Sequence, residues 1–395
     1  MRTAQVVRHG DFFHVTEIQK RPRDPRLDFF RGLGMFIIFI AHVPGNGWTL
    51  WIPARFGFSD ATEIFVFCSG MASAIAFGRV FNEHSWSMGA ARILHRIWQV
   101  YWSHIAVFLM IAAMLVTIDH LGGFDGLYVR KLNLQHFFAR PAENLVGYLT
   151  LTYVPNLFDI LPMYLGILAL VPLVMALGMR HPALAGLLVA GLWLAANFHL
   201  LDLPAEPWSD RTWFFNPFAW QLVFFTGFAF GLGWLPAPPV NKTLIVLAAL
   251  FVVLTIPFAW YRAYNALPFF AEWRGEISFL INKTRFGVFR YVHFLSLAYL
   301  AWVAAGEGGK RLRGGAVWNG FVMIVQKVGQ QSLAVFLVSL VAARFGGFLL
   351  DQMGRNFGSA AVVNLGGFAL LIGVAYSVGW FKGQPWKLAP KAAQT

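Results

Sequence analysis

Residues 27–42 read LDFFRGLGMFIIFIAH, an apolar run with Arg31 near its start and His42 at its end. Helical geometry puts these two polar side chains on one face, because 11 residues make three turns plus about 20° and rise about 16 Å. An α-helix needs about 20 mostly apolar residues to cross a bilayer. The stretch therefore predicts a membrane-spanning helix with a cation near one end and an imidazole deep inside or toward the far side.

The whole chain has the composition of a polytopic membrane protein. Of its 395 residues, 58% are hydrophobic and 12% are charged, whereas soluble domains are about 45–50% apolar and 25% charged. The predicted fold is all-α with ten spans, and the sequence Val43-Pro44-Gly45 should break the first helix. The spans cover roughly 29–50, 58–80, 93–117, 160–179, 182–200, 214–235, 242–261, 286–305, 331–350 and 359–380. This composition excludes disordered, fibrous and disulfide-framework proteins, and the single cysteine, Cys68, excludes an internal disulfide and a thiolate metal cluster.

The charge distribution predicts the orientation of these spans. With the N-terminal arm, the even-numbered connections and the tail in the cytoplasm, that side holds 19 of the 31 basic residues and six of the 18 acidic ones. The whole net charge of +13 then lies on one side, as the positive-inside rule requires. Both termini are therefore expected in the cytoplasm, and the basic character indicates orientation and anionic lipid rather than nucleic acid.

The chain divides into three predicted parts. Residues 1–28 are a basic cytoplasmic arm and not a signal peptide, because they lack a short apolar core before a cleavage site. Residues 29–380 form the transmembrane domain, and residues 381–395 are a cytoplasmic tail. Within the domain, residues 144–154 and 317–328 are apolar but short, which predicts interfacial or re-entrant segments.

Arg31 and His42 are the first candidates for chemistry. A cation at the cytoplasmic mouth and a neutral base further in suit a long anionic donor that enters from the cytoplasm. The alternative is that Arg31 reaches lipid phosphates and His42 is a packing histidine. Ionisable groups at membrane depth favour the functional interpretation.

Several motifs support that interpretation. Residues 28–42 resemble the first helix of the transmembrane acyltransferase family, in which Asp-x-x-Arg-Gly precedes a His that follows the Arg after ten residues. Residues 63–70, EIFVFCSG, are similar to that family's acidic-aromatic-Ser-Gly helix, with Glu63 where Asp is usual. Four later segments carry a further resemblance: NLFDILPMY (156–164), NPFAWQ (216–221), NKTRFGVFRYVHF (282–294) and VGQQSL (328–333). Together they resemble the OpgC-type succinyltransferases of osmoregulated periplasmic glucans.

This resemblance implies a reaction in the bacterial inner membrane. Succinyl-CoA in the cytoplasm would give its acyl group to a glucose hydroxyl of a periplasmic glucan. We expect His42 to act as general base or to carry the acyl group itself. An acceptor must fix its tautomer, and we expect Glu63 first and Asp159 second. The alternative for Asp60 and Asp159 is that each caps a helix.

The donor needs basic residues because coenzyme A carries phosphates. Arg31, Arg92 and Arg96 are the candidates, and guanidinium groups suit bidentate contacts with phosphate. Arg92 and Arg96 share a helix face at a spacing of four. Their alternative role is positive-inside anchoring.

A succinyl donor also ends in a carboxylate, which predicts a buried cation near the acyl end. Arg290 is the first candidate, with His293 and Lys283 beside it in sequence as further substrate-binding residues. The alternative is that Arg290 reaches the outer membrane interface.

No metal site and no permanently bound cofactor is predicted, and the sequence lacks a P-loop motif. The expected partners are succinyl-CoA, a glucan and membrane lipids, without nucleic acid, and a homo-oligomer is left open. One alternative function is an O-acetyltransferase of a surface polysaccharide. Another is a glucan transporter in which Arg31 and His42 line the translocation path.

Overall fold

A computed structural model describes residues 4–7, 14–17 and 24–387, and helices make up most of that part of the chain. In the N-terminal arm, β1 (Ala4–Val7) and β2 (His14–Glu17) pair as a short antiparallel hairpin. The helices are α1 Pro25–His42, α2 Ala61–Ser73, α3 Arg79–Glu83, α4 Trp86–Gly122, α5 Leu127–Lys131, α6 Gln135–Ala139, α7 Pro141–Leu149, α8 Ile160–Gly178, α9 Pro182–Asn197, α10 Pro217–Leu232, α11 Lys242–Ala259, α12 Tyr261–Ala266, α13 Pro268–Glu276, α14 Val288–Ala305, α15 Ala316–Gln330, α16 Ser332–Met353 and α17 Phe357–Gly383. Beyond the hairpin, the fold is all-α, as the sequence predicts.

A helix lies in the place of each predicted span. Within residues 24–387, seven helical segments are long and apolar enough to cross a membrane, namely Ala61–Glu83, Trp86–Gly122, Ile160–Gly178, Lys242–Ala259, Val288–Ala305, Ser332–Met353 and Phe357–Lys387. The first of these joins α2 and α3 through a π-helical turn, Ala74–Gly78. Helices α9 and α10 are shorter apolar helices, and α1 carries three charged side chains among its 18 residues. The chain is a membrane protein, while the count of ten spans and the cytoplasmic termini stay predictions.

The bounds of α1 differ from the predicted 29–50 at both ends. The helix begins at Pro25, because the Asp24 side chain accepts a hydrogen bond from the backbone N–H of Arg26 at 2.9 Å and proline suits the first helical position. It ends at His42, and a 3₁₀ turn follows at Gly47–Trp51, so the predicted break is confirmed. The last residues of the predicted arm are therefore helical.

The other observed boundaries differ from the predicted ones to varying extents. Helix α4 has 37 residues, or about 55 Å of rise, and extends beyond the predicted 93–117 on both sides. Helices α7 and α15 cover most of the two short apolar segments, whose interfacial placement stays a prediction. The hairpin lies in the predicted arm, and the rest of the arm before residue 24 is outside the described residues. The predicted tail is described as far as Lys387, and residues 388–395 are likewise outside the described range.

Close backbone contact fixes α2 against α10. A Cβ on Gly70 would lie 2.0 Å from the carbonyl oxygen of Phe224, and a Cβ on Gly227 would lie 2.3 Å from that of Phe67. Only glycine permits such an approach, and small residues are typical where membrane helices touch. This contact sets the distance between α2 and α10.

Candidate functional site

The end of α1 presents an imidazole in one tautomer. His42 Nδ1 lies 2.7 Å from the carbonyl oxygen of Ile38, one turn earlier. A carbonyl only accepts, so Nδ1 carries the proton and Nε2 keeps a free lone pair. His42 is half-buried, and within residues 24–387 no hydrogen-bond partner reaches its Nε2. The ring can therefore accept a proton from a ligand at Nε2.

The first turn of α2 holds two carboxylates in a capping box. The Asp60 side chain accepts from the backbone N–H of Thr62 at 2.8 Å, and Glu63 Oε2 accepts from the backbone N–H of Asp60 at 2.8 Å. These bonds satisfy donors that the start of a helix leaves without partners. The capping interpretation of Asp60 is therefore confirmed.

Two cations from the α14 region complete an ion-pair cluster, made of Asp60, Glu63, Lys283 and Arg290. Arg290 Nε and Nη2 donate to Glu63 Oε1 at 2.9 and 2.5 Å, and Nη2 also lies 3.4 Å from Asp60 Oδ2. Lys283 Nζ donates to Asp60 Oδ2 at 2.5 Å. Two positive charges therefore meet two negative ones, and Asp60 and Lys283 both act electrostatically on His42.

The cluster keeps Asp60 ionised. Burial disfavours its charged form, but the charges of Lys283 and Arg290 and the hydrogen bonds from Lys283 and Thr62 outweigh burial and hold the pKa of Asp60 well below its usual range. The carboxylate therefore stays negative at neutral pH. Lys283 is held at the edge of the site with about 30% of its side chain exposed.

The structure corrects the predicted partner of His42. Glu63 is fully buried and engaged by Arg290 and the backbone of Asp60, so the prediction that Glu63 orients His42 is wrong; the carbonyl of Ile38 does so. The reason is chain geometry, since His42 ends its helix and reaches back one turn. Arg290 is likewise already neutralised, which argues against it as the cation that receives a substrate carboxylate.

His293 lies behind the cluster and not on an open surface. Its Nδ1 accepts from the backbone N–H of Ser59 at 3.2 Å, and the Ser59 hydroxyl lies 2.7 Å from the same atom. A Cβ on Gly57 would lie 2.1 Å from His293 Nε2. Because the ring is buried beneath this loop, His293 supports the start of α2, and the predicted direct contact with substrate is disfavoured.

Asp159 lies at another place in the fold. It immediately precedes α8, but its side chain makes no capping bond there and instead accepts from the backbone N–H of Phe214 at 3.2 Å. Burial raises the pKa of Asp159 to about 6. The prediction that Asp159 orients His42 is therefore wrong, and so is the capping alternative; the observed role is to tie the loop before α10 to α8.

Arg31, toward the opposite end of α1, is less exposed than its predicted position at the cytoplasmic entrance implies. It is buried and pairs with Asp28 at 2.9 Å. Helix α15 crosses α1 here in backbone contact, since a Cβ on Gly32 would lie 2.0 Å from the carbonyl oxygen of Val325. One guanidinium nitrogen, Arg31 Nε, is buried without a hydrogen-bond partner within the described chain. Arg31 Nε is therefore not engaged by another described residue.

Arg92 and Arg96 lie on the first half of α4. Arg92 is exposed, and Arg96 is half-buried and donates to the Gln99 side chain at 3.2 Å. Lys382, near the end of α17, is within electrostatic range of Arg96. In the part of the chain that the structure describes, neither arginine forms an ion pair with a carboxylate. Both stay available to an anionic ligand.

The family model described as OpgC protein matches residues 23–383, which span α1 to α17. The chain belongs to the OpgC family. This membership confirms the resemblance that the motifs indicate and implies a glucan-related acyltransferase. No curated protein and no solved structure gives a significant match.

Sequence reasoning missed one charged residue of the site. Arg344 lies within α16 and, among the charged side chains around His42, exerts the largest electrostatic effect on it. It is the only Lys, Arg or His between Lys327 and Arg355 in the sequence. That isolated position in an apolar span is a signal that could have found it, because ionisable residues at membrane depth are rare and functional.

A cavity of about 490 Å³ adjoins the end of α1. Trp48, Trp51, Arg355 and Asn356 are among the residues that line it, so it combines aromatic faces with polar groups. Such a lining suits a sugar. A second cavity of about 560 Å³ between α4, α16 and α17 is lined almost entirely by apolar side chains, and the hydroxyl in its lining, that of Ser103, donates to the Gln99 carbonyl oxygen at 2.8 Å.

Proposed function

We propose that this chain transfers a succinyl group from cytoplasmic succinyl-CoA to a glucose hydroxyl of a periplasmic glucan. The observation that carries the proposal is the imidazole of His42, whose Nδ1 is held by Ile38 and whose Nε2 is left without a partner in the described chain. It lies about 16 Å along α1 from Arg31, a spacing that suits the long arm of coenzyme A. Family membership supports acyl transfer to a glucan.

In the direct route, His42 Nε2 removes the proton of the sugar hydroxyl while its oxygen attacks the thioester carbon. The tetrahedral intermediate then breaks its C–S bond, and the imidazolium gives the proton to the departing sulfur, so the products are the glucan ester and free CoA. A positioned base of this kind contributes about 10²–10⁴-fold to the rate.

In the covalent route, Nε2 itself attacks the thioester carbon. CoA leaves first with a proton from solvent, and the sugar oxygen then takes the acyl group while its own proton passes to solvent. The same tautomer serves both routes, since each requires a free lone pair at Nε2.

Binding of the two substrates is assigned to opposite ends of α1. Arg31, Arg92 and Arg96 would bind the phosphates of the donor by charge-assisted hydrogen bonds. The glucan would approach His42 through the cavity beside Trp48 and Trp51, where sugar rings can lie on the indole faces. In this arrangement the donor end is cytoplasmic, the acceptor end is periplasmic, and the protein resides in the bacterial inner membrane among anionic lipids.

The test is CoA release by the purified protein, given succinyl-CoA and a periplasmic glucan, together with mass spectrometry of the glucan ester. We expect His42→Ala to lose at least about 100-fold of the rate, the lower end of the contribution of general base catalysis. His120→Ala is the matched control, because His120 is exposed at the end of α4.

The outcomes separate the alternatives. Release of one equivalent of CoA without glucan identifies the covalent route, and release only with glucan identifies the direct one. Succinylation retained by His42→Ala overturns the role of His42. Glucan transport without thioester cleavage supports a transporter instead, and transfer from acetyl-CoA alone supports an O-acetyltransferase.

A further inference from the structure

Arg344 lies where an α-helix in a membrane rarely carries a charge. It is the thirteenth of the 22 residues of α16, Ser332–Met353, with Ala342, Ala343, Phe345 and Gly346 around it. The nearest end of the helix is nine residues away, about 13 Å along its axis. A cation at such a depth is costly and is a functional candidate by default.

The packing of α16 places Arg344 near the end of α1. A Cβ on Gly347 would lie 2.5 Å from Pro44 Cδ, and a Cβ on Gly346 would lie 3.6 Å from the methyl carbons of Val43. Arg344 precedes Gly347 by three residues, less than one turn and about 4.5 Å of rise. This puts the start of its side chain close to the level of His42, in agreement with the electrostatic effect of the guanidinium on that ring.

The guanidinium of Arg344 has no counter-charge of its own. Between residues 24 and 387, no carboxylate forms an ion pair with it and no acceptor forms a hydrogen bond with it. The other cations near the site differ, because Arg290 and Lys283 share Asp60 and Glu63. The ion-pair cluster is electrically balanced, so Arg344 adds an unmatched positive charge beside His42. A half-buried guanidinium in this position favours binding of an anion.

The position of that anion limits its chemistry. The phosphates of a CoA donor would lie near Arg31, about 16 Å along α1 from His42. Of the negative charges of such a donor, only one on the acyl group can therefore lie at the level of His42. In a succinyl thioester the terminal carboxylate carbon is three C–C bonds from the reacting carbonyl carbon, at most about 4 Å away. A thioester beside His42 would thus place its carboxylate near the level at which Arg344 leaves α16.

On the basis of the proposed function, we propose that Arg344 binds the terminal carboxylate of a dicarboxylic acyl donor and so selects succinyl-CoA over acetyl-CoA. The planar guanidinium can hold both carboxylate oxygens. An acetyl group would leave this charge unmatched, which disfavours the uncharged donor by the same interaction. Arg290, in contrast, forms ion pairs with Asp60 and Glu63 and does not bind the acyl chain.

The experiment compares kcat/KM for succinyl-CoA, its terminal methyl ester and acetyl-CoA, with glucan as acceptor. We expect the wild type to prefer succinyl-CoA and to lose on the order of 100-fold with the methyl ester, the size expected when one member of a buried charge pair is removed. Arg344→Gln should lose about the same factor with succinyl-CoA, change little with acetyl-CoA, and no longer distinguish succinyl-CoA from its ester. Arg344→Lys should fall between the two, because it keeps the charge without the bidentate geometry.

Two further variants separate the roles of the arginines. Arg290→Gln should lower the rates of all donors alike, and Arg140→Gln, which changes an arginine with about three quarters of its side chain exposed and paired with Glu143, should leave donor preference unchanged. Equal use of succinyl-CoA and its ester by the wild type overturns the inference without affecting the proposed function. An equal loss for all donors in Arg344→Gln and Arg344→Lys also overturns it, since that pattern reflects a structural or lipid contact. Absence of CoA release from every donor by the wild type refutes the proposed function itself.

Discussion

Replacing Glu63 with Gln should destabilise this protein by about 3 kcal/mol. Glu63 is fully buried, and its Oε1 accepts two hydrogen bonds from Arg290. Removing one member of a buried ion pair costs about 3–5 kcal/mol, because the other charge is left uncompensated. Arg290 would keep its 3.4 Å contact with Asp60, so we expect the lower end of that range.

The measurement is thermal unfolding of the purified protein in detergent, arranged as a double-mutant cycle with Arg290→Met. A loss of about 3 kcal/mol lowers Tm by about 6–12 °C in a domain of 150–250 residues. The shift per kcal/mol decreases with chain length, so these values are upper limits for this protein. The double variant removes both charges and should unfold well above the temperature that the two separate losses predict, since neighbouring sites couple by about 0.5–3 kcal/mol.

Glu143→Gln is the matched control, because Glu143 pairs with Arg140 at 3.6 Å with about three quarters of each side chain exposed. An exposed pair of this kind stabilises by about 0–1 kcal/mol, so its Tm should barely change. An unchanged Tm in Glu63→Gln, or strict additivity in the double variant, would refute the view that the ion-pair cluster holds α2 to α14.

Three other substitutions test separate parts of the structure. Burial raises the pKa of Asp159 to about 6, so the folded chain retains a proton that the unfolded chain releases between pH 4 and 6. The free energy of unfolding then falls as pH rises through that window, by on the order of 3 kcal/mol. Asp159→Asn should therefore flatten the curve of Tm against pH. Parallel curves for the variant and the wild type would contradict this. Gly57→Ala should lower Tm because the new Cβ clashes with the His293 ring, a loss of about 1–3 kcal/mol in the free energy of unfolding. Adding His293→Ala should recover part of that loss. No recovery would mean that the Gly57→Ala side chain clashes with another group. Gly32→Ala should lower Tm more than Gly186→Ala, because a Cβ at Gly32 meets the α15 backbone at 2.0 Å whereas nothing lies within 4 Å at Gly186; equal effects would disprove the tight contact between α1 and α15.

The sequence by itself determined the features that depend on neighbouring residues. Apolar runs near 20 residues predict helices because a bilayer leaves no other partner for backbone polar groups, and a helix lies in each predicted place. The spacing of Arg31 and His42 follows from helical geometry alone. Pro44 and Gly45 end α1 as predicted, and Asp60 caps α2, since both effects act within one turn.

The tertiary structure decided which polar groups meet. Glu63 and Arg290 are 227 residues apart in the chain, so their pairing depends on how α2 packs against its neighbours and on no local preference. Sequence reasoning therefore assigned Glu63 to His42, whereas the nearest acceptor for that ring is the Ile38 carbonyl. Arg344 is a second residue whose role could not be assigned from the sequence. Its charge is plain in the sequence, but only the contact of α16 with the end of α1 brings it to His42, because long-range packing sets distances that residue spacing does not contain.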